Sequence, residues 1–301
     1  MLRAMERKTA KDFDQELLDL FDQYVHGGID RRGFLDRATK FAVGGVTAGM
    51  LLDALSPQFA EAQQVPKDDK RIKAETVEYP SPNGNTGKTR GYLVRPASAT
   101  GKLPAILVVH ENRGLNPHIE DIARRLALDN FIAFAPDELY PQGGYPGDED
   151  KARELFSKVD QAKARADFVA AALYLKGLPN CTGGIGAVGF CWGGGMVNIL
   201  ATRLPDLVAA VPFYGPQPSA DEAAKIKAAL LIHYAGNDER INAGWPAYET
   251  ALKAAKVKYE AFTYPGTEHG FNNDTTPRYN EAAAKLAWER TIAFFNRSLR
   301  G

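Results

Sequence analysis

Apolar and polar positions follow two rhythms along this chain. Within the polar stretch 1–29, Phe13, Leu17, Leu20 and Tyr24 recur every three or four residues. That spacing predicts a short amphipathic helix, ended by Gly27-Gly28. A weakly apolar stretch rich in Gly and Ala follows at 41–55. From residue 72 the rhythm changes. Strand-like runs at 74–79 and 91–94 flank a Ser-Pro-Asn-Gly-Asn turn and predict a hairpin. Residues 105–110, 131–135 and 185–190 are short continuous apolar runs suited to buried strands, and further strands are predicted at 208–214, 228–234 and 259–264. Helical stretches are predicted at 118–129, 150–176, 196–203, 245–255 and 280–297, with a Gly- and Pro-rich loop at 140–147. This alternation predicts an α/β fold: crossover units on a mostly parallel central sheet with helices on both faces. No internal repeat interrupts it and no linker divides 72–301. The expected organisation is an N-terminal extension, 1–65, and one domain, 66–301.

Composition narrows the function. A chain of 301 residues, 45% hydrophobic and 25% charged, is globular rather than disordered. Lys+Arg 37 balances Asp+Glu 37, which argues against a nucleic-acid partner. No apolar run reaches the ~18 residues of a spanning helix, so stable membrane insertion is not expected. Two cysteines cannot build a disulfide framework or a four-thiolate zinc site. The predicted strand 185–190 lies between Cys181 and Cys191. Six extended residues cover about 20 Å, whereas a disulfide needs Cα atoms within ~7 Å. Cys191 is therefore expected to be a free thiol.

Two motifs fail on context. Gly184-Ile-Gly-Ala-Val-Gly189 matches G-x-G-x-x-G, but its glycines lie inside a predicted strand rather than in the turn that opens a helix. His110-Glu111 lacks the second histidine of a zinc-protease motif, and the five histidines are scattered. No metal and no organic cofactor are expected.

One motif survives. Gly189-Phe-Cys191-Trp-Gly193 is G-x-C-x-G between a buried strand and a helix, the nucleophile-elbow pattern with cysteine in place of serine. The sharp turn strains the nucleophile, small neighbours let strand and helix approach, and the helix N-terminus favours a thiolate. Partners follow in the order acid, then histidine: Asp238 after the strand 228–234, and His269 in Gly-Thr-Glu-His-Gly-Phe after the strand 259–264. Each could be an ordinary turn residue. Together, beyond the carboxyl ends of strands, they predict a Cys-His-Asp triad.

These residues, with Gly194, Gly270-Phe271 and Glu111 in His-Glu-Asn-Arg-Gly, carry a resemblance. The stretch 72–298 resembles the dienelactone hydrolase family of α/β-hydrolases. The resemblance implies an α/β-hydrolase fold and a hydrolase for a small-molecule ester or lactone that works through an acyl-enzyme. It implies Cys191, Asp238 and His269 as the triad, Glu111 as the resting partner of the cysteine, and the backbone N–H groups of Asn112 and Trp192 as the oxyanion hole. A carboxylate beside the thiol would keep it neutral until substrate arrives. Glu111 could equally cap a helix or pair with Arg113. Family members that bind the carboxylate of dienelactone use two arginines, and the corresponding stretches 135–142 and 269–274 contain none. That argues against dienelactone itself. Arg113 and Arg240 are other sources of a cation, and Tyr140, Tyr145, Trp192, Phe213 and Trp245 are candidate apolar walls. Two rival readings are a non-catalytic ligand-binding protein on the same scaffold and a thiol redox protein.

The extension holds a second resemblance. Arg31-Arg32-Gly-Phe34-Leu35, the apolar stretch 41–55 and Ala60-Glu-Ala62 resemble a twin-arginine export signal with its cleavage site. This implies a periplasmic or secreted protein. The alternative is a helical arm packed on the body or on a partner subunit, with Arg31 and Arg32 solvated, in a protein that stays in the cytoplasm. Nothing in the pattern specifies an oligomeric state.

Overall fold

In the computed structural model, which describes residues 8–301, the predicted hairpin forms as β1 (Ile72–Ser81) and β2 (Gly87–Pro96). The body continues through β3 (Leu103–Val109) and β4 (Ile132–Pro136), then β5 (Cys181–Phe190) and β6 (Leu207–Phe213), then β7 (Ala229–Ala235) and β8 (Tyr259–Tyr264). These make one eight-stranded sheet in the order β1-β2-β4-β3-β5-β6-β7-β8. Pairing is antiparallel from β1 to β4 and parallel from β4 to β8. Ala105 to Val109 and Phe134 are fully buried. Central strands are covered on both faces, so they read as continuous apolar runs without alternation.

Four short helices form the N-terminal extension: α1 (Gln15–Val25), α2 (Arg31–Ala38), α3 (Ala48–Leu55) and α4 (Phe59–Ala62). The opening seven residues of the predicted extension lie outside the described residues. In the body, α5 (Pro117–Leu128) follows β3, and α6 (Glu149–Phe156) and α7 (Gln161–Lys176) follow β4. Next come α8 (Trp192–Arg203) after β5, α9 (Ala220–Ala223) after β6, α10 (Glu239–Asn242) and α11 (Trp245–Ala254) after β7, and α12 (Glu281–Leu299) after β8. Leucine, alanine and aromatic side chains of α7, α8 and α11 pack one face of the sheet; α5 and α12 pack the other.

The single helix predicted over 150–176 is two helices. Asp160 breaks it by accepting from the N–H groups of Ala162 and Lys163, at 2.9 and 3.2 Å, and so caps α7. Its carboxylate outcompetes continued helix at Val159-Asp160.

The extension has its own apolar cluster. Leu17, Leu20, Phe21 and Tyr24 of α1 meet fully buried Phe34 of α2 and Leu52 and Leu55 of α3. Asp14, Asp30 and Thr47 cap the three helices. It docks on the body through polar contacts. Arg31 pairs with Asp150 at 2.9 Å, Arg278 with Asp22 at 3.3 Å, and Asn112 Nδ2 donates to the Val25 carbonyl at 3.0 Å. Arg153 lies over the Tyr24 ring, 4.4 Å from its centre. The packed-arm alternative therefore describes the arrangement, with one amendment: Arg32 is solvated, but Arg31 is bonded to the body. Among the described residues no helix is long and apolar enough to cross a membrane.

Candidate active site

Four βα crossings deliver their loops to one edge of the sheet. Cys191 follows β5, Asp238 follows β7, His269 follows β8, and Glu111 and Asn112 follow β3. Parallel strands bring these distant stretches together because all their carboxyl ends lie at the same edge.

Cys191 sits at φ 55°, ψ −117°, a conformation that side-chain-bearing residues rarely adopt. Its N–H donates to the Phe213 carbonyl at 3.0 Å, which helps hold the turn. The surrounding glycines are required by contact. A Cβ on Gly189 would lie 2.2 Å from the Gly193 carbonyl oxygen, and one on Gly193 would lie 2.4 Å from that of Val109. The G-x-C-x-G pattern is thus the footprint of α8 pressed against β3 and β5. The Trp192 N–H is the first of α8 and has no partner within the helix.

Asp238 and His269 meet at this edge. Asp238 Oδ2 accepts from His269 Nδ1 at 2.5 Å, and both residues are buried. Asp238 also caps α10, its Oδ1 accepting from Ile241 N–H at 3.3 Å, so the turn role and the pairing role coexist. Tying Nδ1 to the carboxylate leaves Nε2 facing the other way. That Nε2 is buried without a hydrogen-bond partner and lies within 4.8 Å of the Cys191 sulfur.

The resting partner of the sulfur differs from the expectation. Glu111 lines the same cavity, but its Oε2 accepts from Asn273 Nδ2 at 3.0 Å. The polar neighbour of Cys191 Sγ is His26 Nε2, at 3.3 Å, from the end of α1. His26 Nδ1 is held in turn by Asp22, with the backbone oxygen at 2.8 Å and the carboxylate at 3.2 Å. The arm has pushed an imidazole into the place assigned to Glu111. Two of the five histidines, far apart in the sequence, come together here. His26 and His269 meet edge to face, 4.6 Å between ring centres.

Electrostatics follow from this pairing. Burial pushes the Cys191 thiol up, but the imidazoles of His269 and His26 outweigh it and bring the thiol down to about 6. Burial pushes His269 down, yet the facing Cys191 sulfur and the Asp238 carboxylate raise it to about 10. Both shifts favour the thiolate–imidazolium form of the pair, the opposite of the neutral thiol that a Glu111 contact would favour.

A cavity of about 420 Å³ opens onto Cys191 and His269, walled by Phe21, Tyr24 and Tyr145 with Arg113 and Arg278. Of the five predicted aromatic walls, only Tyr145 lines it. Tyr140 donates to Glu78 at 2.6 Å on the surface, Phe213 is fully buried at the end of β6, and Trp245 packs on Tyr234. The Trp192 ring turns inward, stacks on His110 and donates to Gln161 at 2.8 Å. Burial holds that His110 down at about 4, so it is a neutral packing partner. Arg240 is exposed and reaches His26 Nε2 at 3.2 Å. Sequence reasoning missed His26, Arg278 and Asn273. No local pattern marks them, because each becomes a site residue only through the docking of the arm or the fold of the loop after β8.

The dienelactone hydrolase family model matches residues 89–299, and a model described as YqhI-like matches residues 5–43. A provisionally named carboxymethylenebutenolidase of Escherichia coli (strain K12) is 34% identical over 257 residues, covering 80% of this chain and 93% of that protein. A provisionally named hydrolase fragment of the same organism, YghX, is 58% identical over 115 residues, 38% of this chain and 97% of the fragment. Among solved structures, a provisionally named dienelactone hydrolase from Klebsiella pneumoniae superposes with a TM-score of 0.66 at 31% identity, covering 75% of this chain and 99% of that one.

Proposed function

The chain belongs to the dienelactone hydrolase family and is an ester or lactone hydrolase; from that premise we propose that it acts on a small-molecule ester or lactone through Cys191, His269 and Asp238, by way of an acyl-enzyme. The observation that carries this reading is the chain of contacts Asp238–His269 at 2.5 Å with the free Nε2 turned toward a sulfur on a strained strand-to-helix turn. In this reading the Cys191 thiolate attacks the carbonyl carbon. The N–H groups of Asn112 and Trp192 hold the oxyanion. Protonated His269, oriented by Asp238, gives its proton to the leaving alkoxide. A water then attacks the thioester, His269 takes its proton, the carbon–sulfur bond breaks to release the carboxylic acid, and the thiolate and protonated His269 are restored. Glu111, held by Asn273, lines the same cavity. The test is Cys191→Ala against a panel of p-nitrophenyl esters and enol lactones. Turnover is expected to vanish; undiminished turnover removes cysteine from the mechanism.

Arg113 and Arg278 support an anionic substrate. Both guanidinium groups are buried and border the cavity; Arg278 keeps an Nε without a hydrogen-bond partner, and Arg113 Nε stands 3.5 Å from the Glu149 carboxylate. They lie outside the two stretches where the resemblance placed arginines, so they suit a carboxylate carried differently from that of dienelactone. Arg278→Ala is expected to raise KM for acidic esters and to spare neutral ones.

For location the reading is twin-arginine export, supported by Arg31-Arg32-Gly-Phe34-Leu35. The rival, a retained arm, is supported by the His26–Cys191 contact and the buried Phe34. N-terminal sequencing of protein from its own host separates them: a start near Gln63 means a removed arm, and an intact Met1 a retained one.

A further inference from the structure

We propose that His26, Cys191 and His269 form a three-ligand site for a divalent cation of the zinc class, and that filling this site holds the nucleophile off. The regulatory half of this inference rests on the hydrolase mechanism above and the binding half does not; both concern the full chain with its arm retained, the second of the two readings of location.

The donor set is one thiol and two imidazoles, the ligands that zinc and its close relatives prefer. Their donor atoms lie within 4.8 Å of one another. With Zn–S about 2.3 Å and Zn–N about 2.0–2.1 Å, two donors on one tetrahedral ion stand roughly 3.3–3.6 Å apart. The His26–Cys191 edge, at 3.3 Å, already has that length. The remaining edges, none longer than 4.8 Å, need to close by about 1.2–1.5 Å at most, within the reach of side-chain rotation.

Both imidazoles are prepared in the same way. Nδ1 of His269 is bonded to the Asp238 carboxylate and Nδ1 of His26 to Asp22. This carboxylate–histidine arrangement fixes the tautomer that offers the Nε2 lone pair to a metal. His269 Nε2 supplies the independent observation: a buried nitrogen with no hydrogen-bond partner, on a residue 5% exposed, aimed at the other two donors. The fourth coordination position opens to the cavity, where a water fits. The carboxylates of Asp22 and Asp238 and the thiolate offset the charge of the ion. Arg240 opposes it, since its guanidinium stands 3.2 Å from His26 Nε2; its side chain is exposed and free to withdraw.

Coordination is a simple exchange. The imidazolium proton, or the S–H proton where the thiol is neutral, goes to solvent; a sulfur–metal bond and two nitrogen–metal bonds form; nothing is oxidised or reduced. The sulfur lone pair and the His269 lone pair are then both engaged, so neither attack nor proton transfer proceeds. Two of the ligands belong to the hydrolytic site and the third comes from the arm. The arm thereby turns a catalytic pair into a metal site.

The test is titration of the metal-stripped full-length protein with Co²⁺, followed by competition with Zn²⁺. One equivalent of cobalt is expected to give tetrahedral ligand-field bands in the visible and a sulfur-to-cobalt charge-transfer band in the near ultraviolet. Cys191→Ser should lose the charge-transfer band. Asp22→Asn, a mild change behind the ligand, should weaken binding about 10- to 100-fold, and His26→Ala by at least as much. Circular dichroism of each variant checks that it is folded, and Asp22→Asn decides the matter if His26→Ala is not. Absence of the charge-transfer band in the wild type, or unchanged affinity in the folded His26→Ala and Asp22→Asn proteins, overturns the site. Zinc is expected to abolish ester hydrolysis and a chelator to restore it. A metal that binds as described while hydrolysis persists overturns the regulatory half. A protein that binds cobalt but hydrolyses no ester, even after chelation, refutes the hydrolase mechanism and leaves the metal site standing.

Discussion

Cys191 and His269 gain their reactivity from each other. A thiol brought down to about 6 against an imidazole raised to about 10 sets a wide window in which the pair is charged. The signs predict the pH profile: kcat/KM rises through about pH 6 as the thiolate forms and falls through about pH 10 as His269 loses its proton. Alkylation by iodoacetamide reads the thiolate directly. Its rate should have a midpoint near 6 in the wild type, and His269→Ala should move it toward the ordinary thiol value of about 8.5. Asp238→Asn leaves the α10 cap oxygen in place but removes the charge that orients His269. It is expected to lower kcat by about 100-fold or more, measured on a p-nitrophenyl ester.

The strand-to-helix turn β5–α8 is where local sequence and tertiary packing agree most closely. The contacts of Gly189 and Gly193 explain why the motif was readable: each glycine answers a backbone carbonyl that a methyl would strike. Gly189→Ala should cost about 1–3 kcal/mol or more by overpacking and show as a lower midpoint in chemical denaturation. The break between α6 and α7 was not readable, because helix-forming residues flank Asp160 on both sides and only its carboxylate reveals the cap. Asp160→Ala should cost about 1 kcal/mol in the same measurement while leaving ester hydrolysis intact.

The arm's apolar cluster and the body's two, one on each face of the sheet, are joined by ion pairs and backbone contacts at the edge that holds the site. Emptying the arm cluster with Phe34→Ala removes a fully buried ring, a change of about 3–5 kcal/mol. Amide exchange should accelerate across residues 15–55 and stay slow in β3 to β7. Most of the body was legible in advance. Apolar runs marked every strand of the parallel part, turn chemistry marked the hairpin, and the glycine-flanked cysteine with a later aspartate and histidine marked the candidate triad, since these are features of local geometry and of strand-end topology. The site's remaining wall was not legible. His26 next to Cys191, Asn273 holding Glu111, and Arg278 at the cavity are contacts between stretches far apart in the chain, and nothing near them announces a partner. Periodicity dictates which face of a segment is buried; which distant side chain it then meets depends on how whole elements pack, and here that packing is what placed an imidazole of the arm against the Cys191 sulfur.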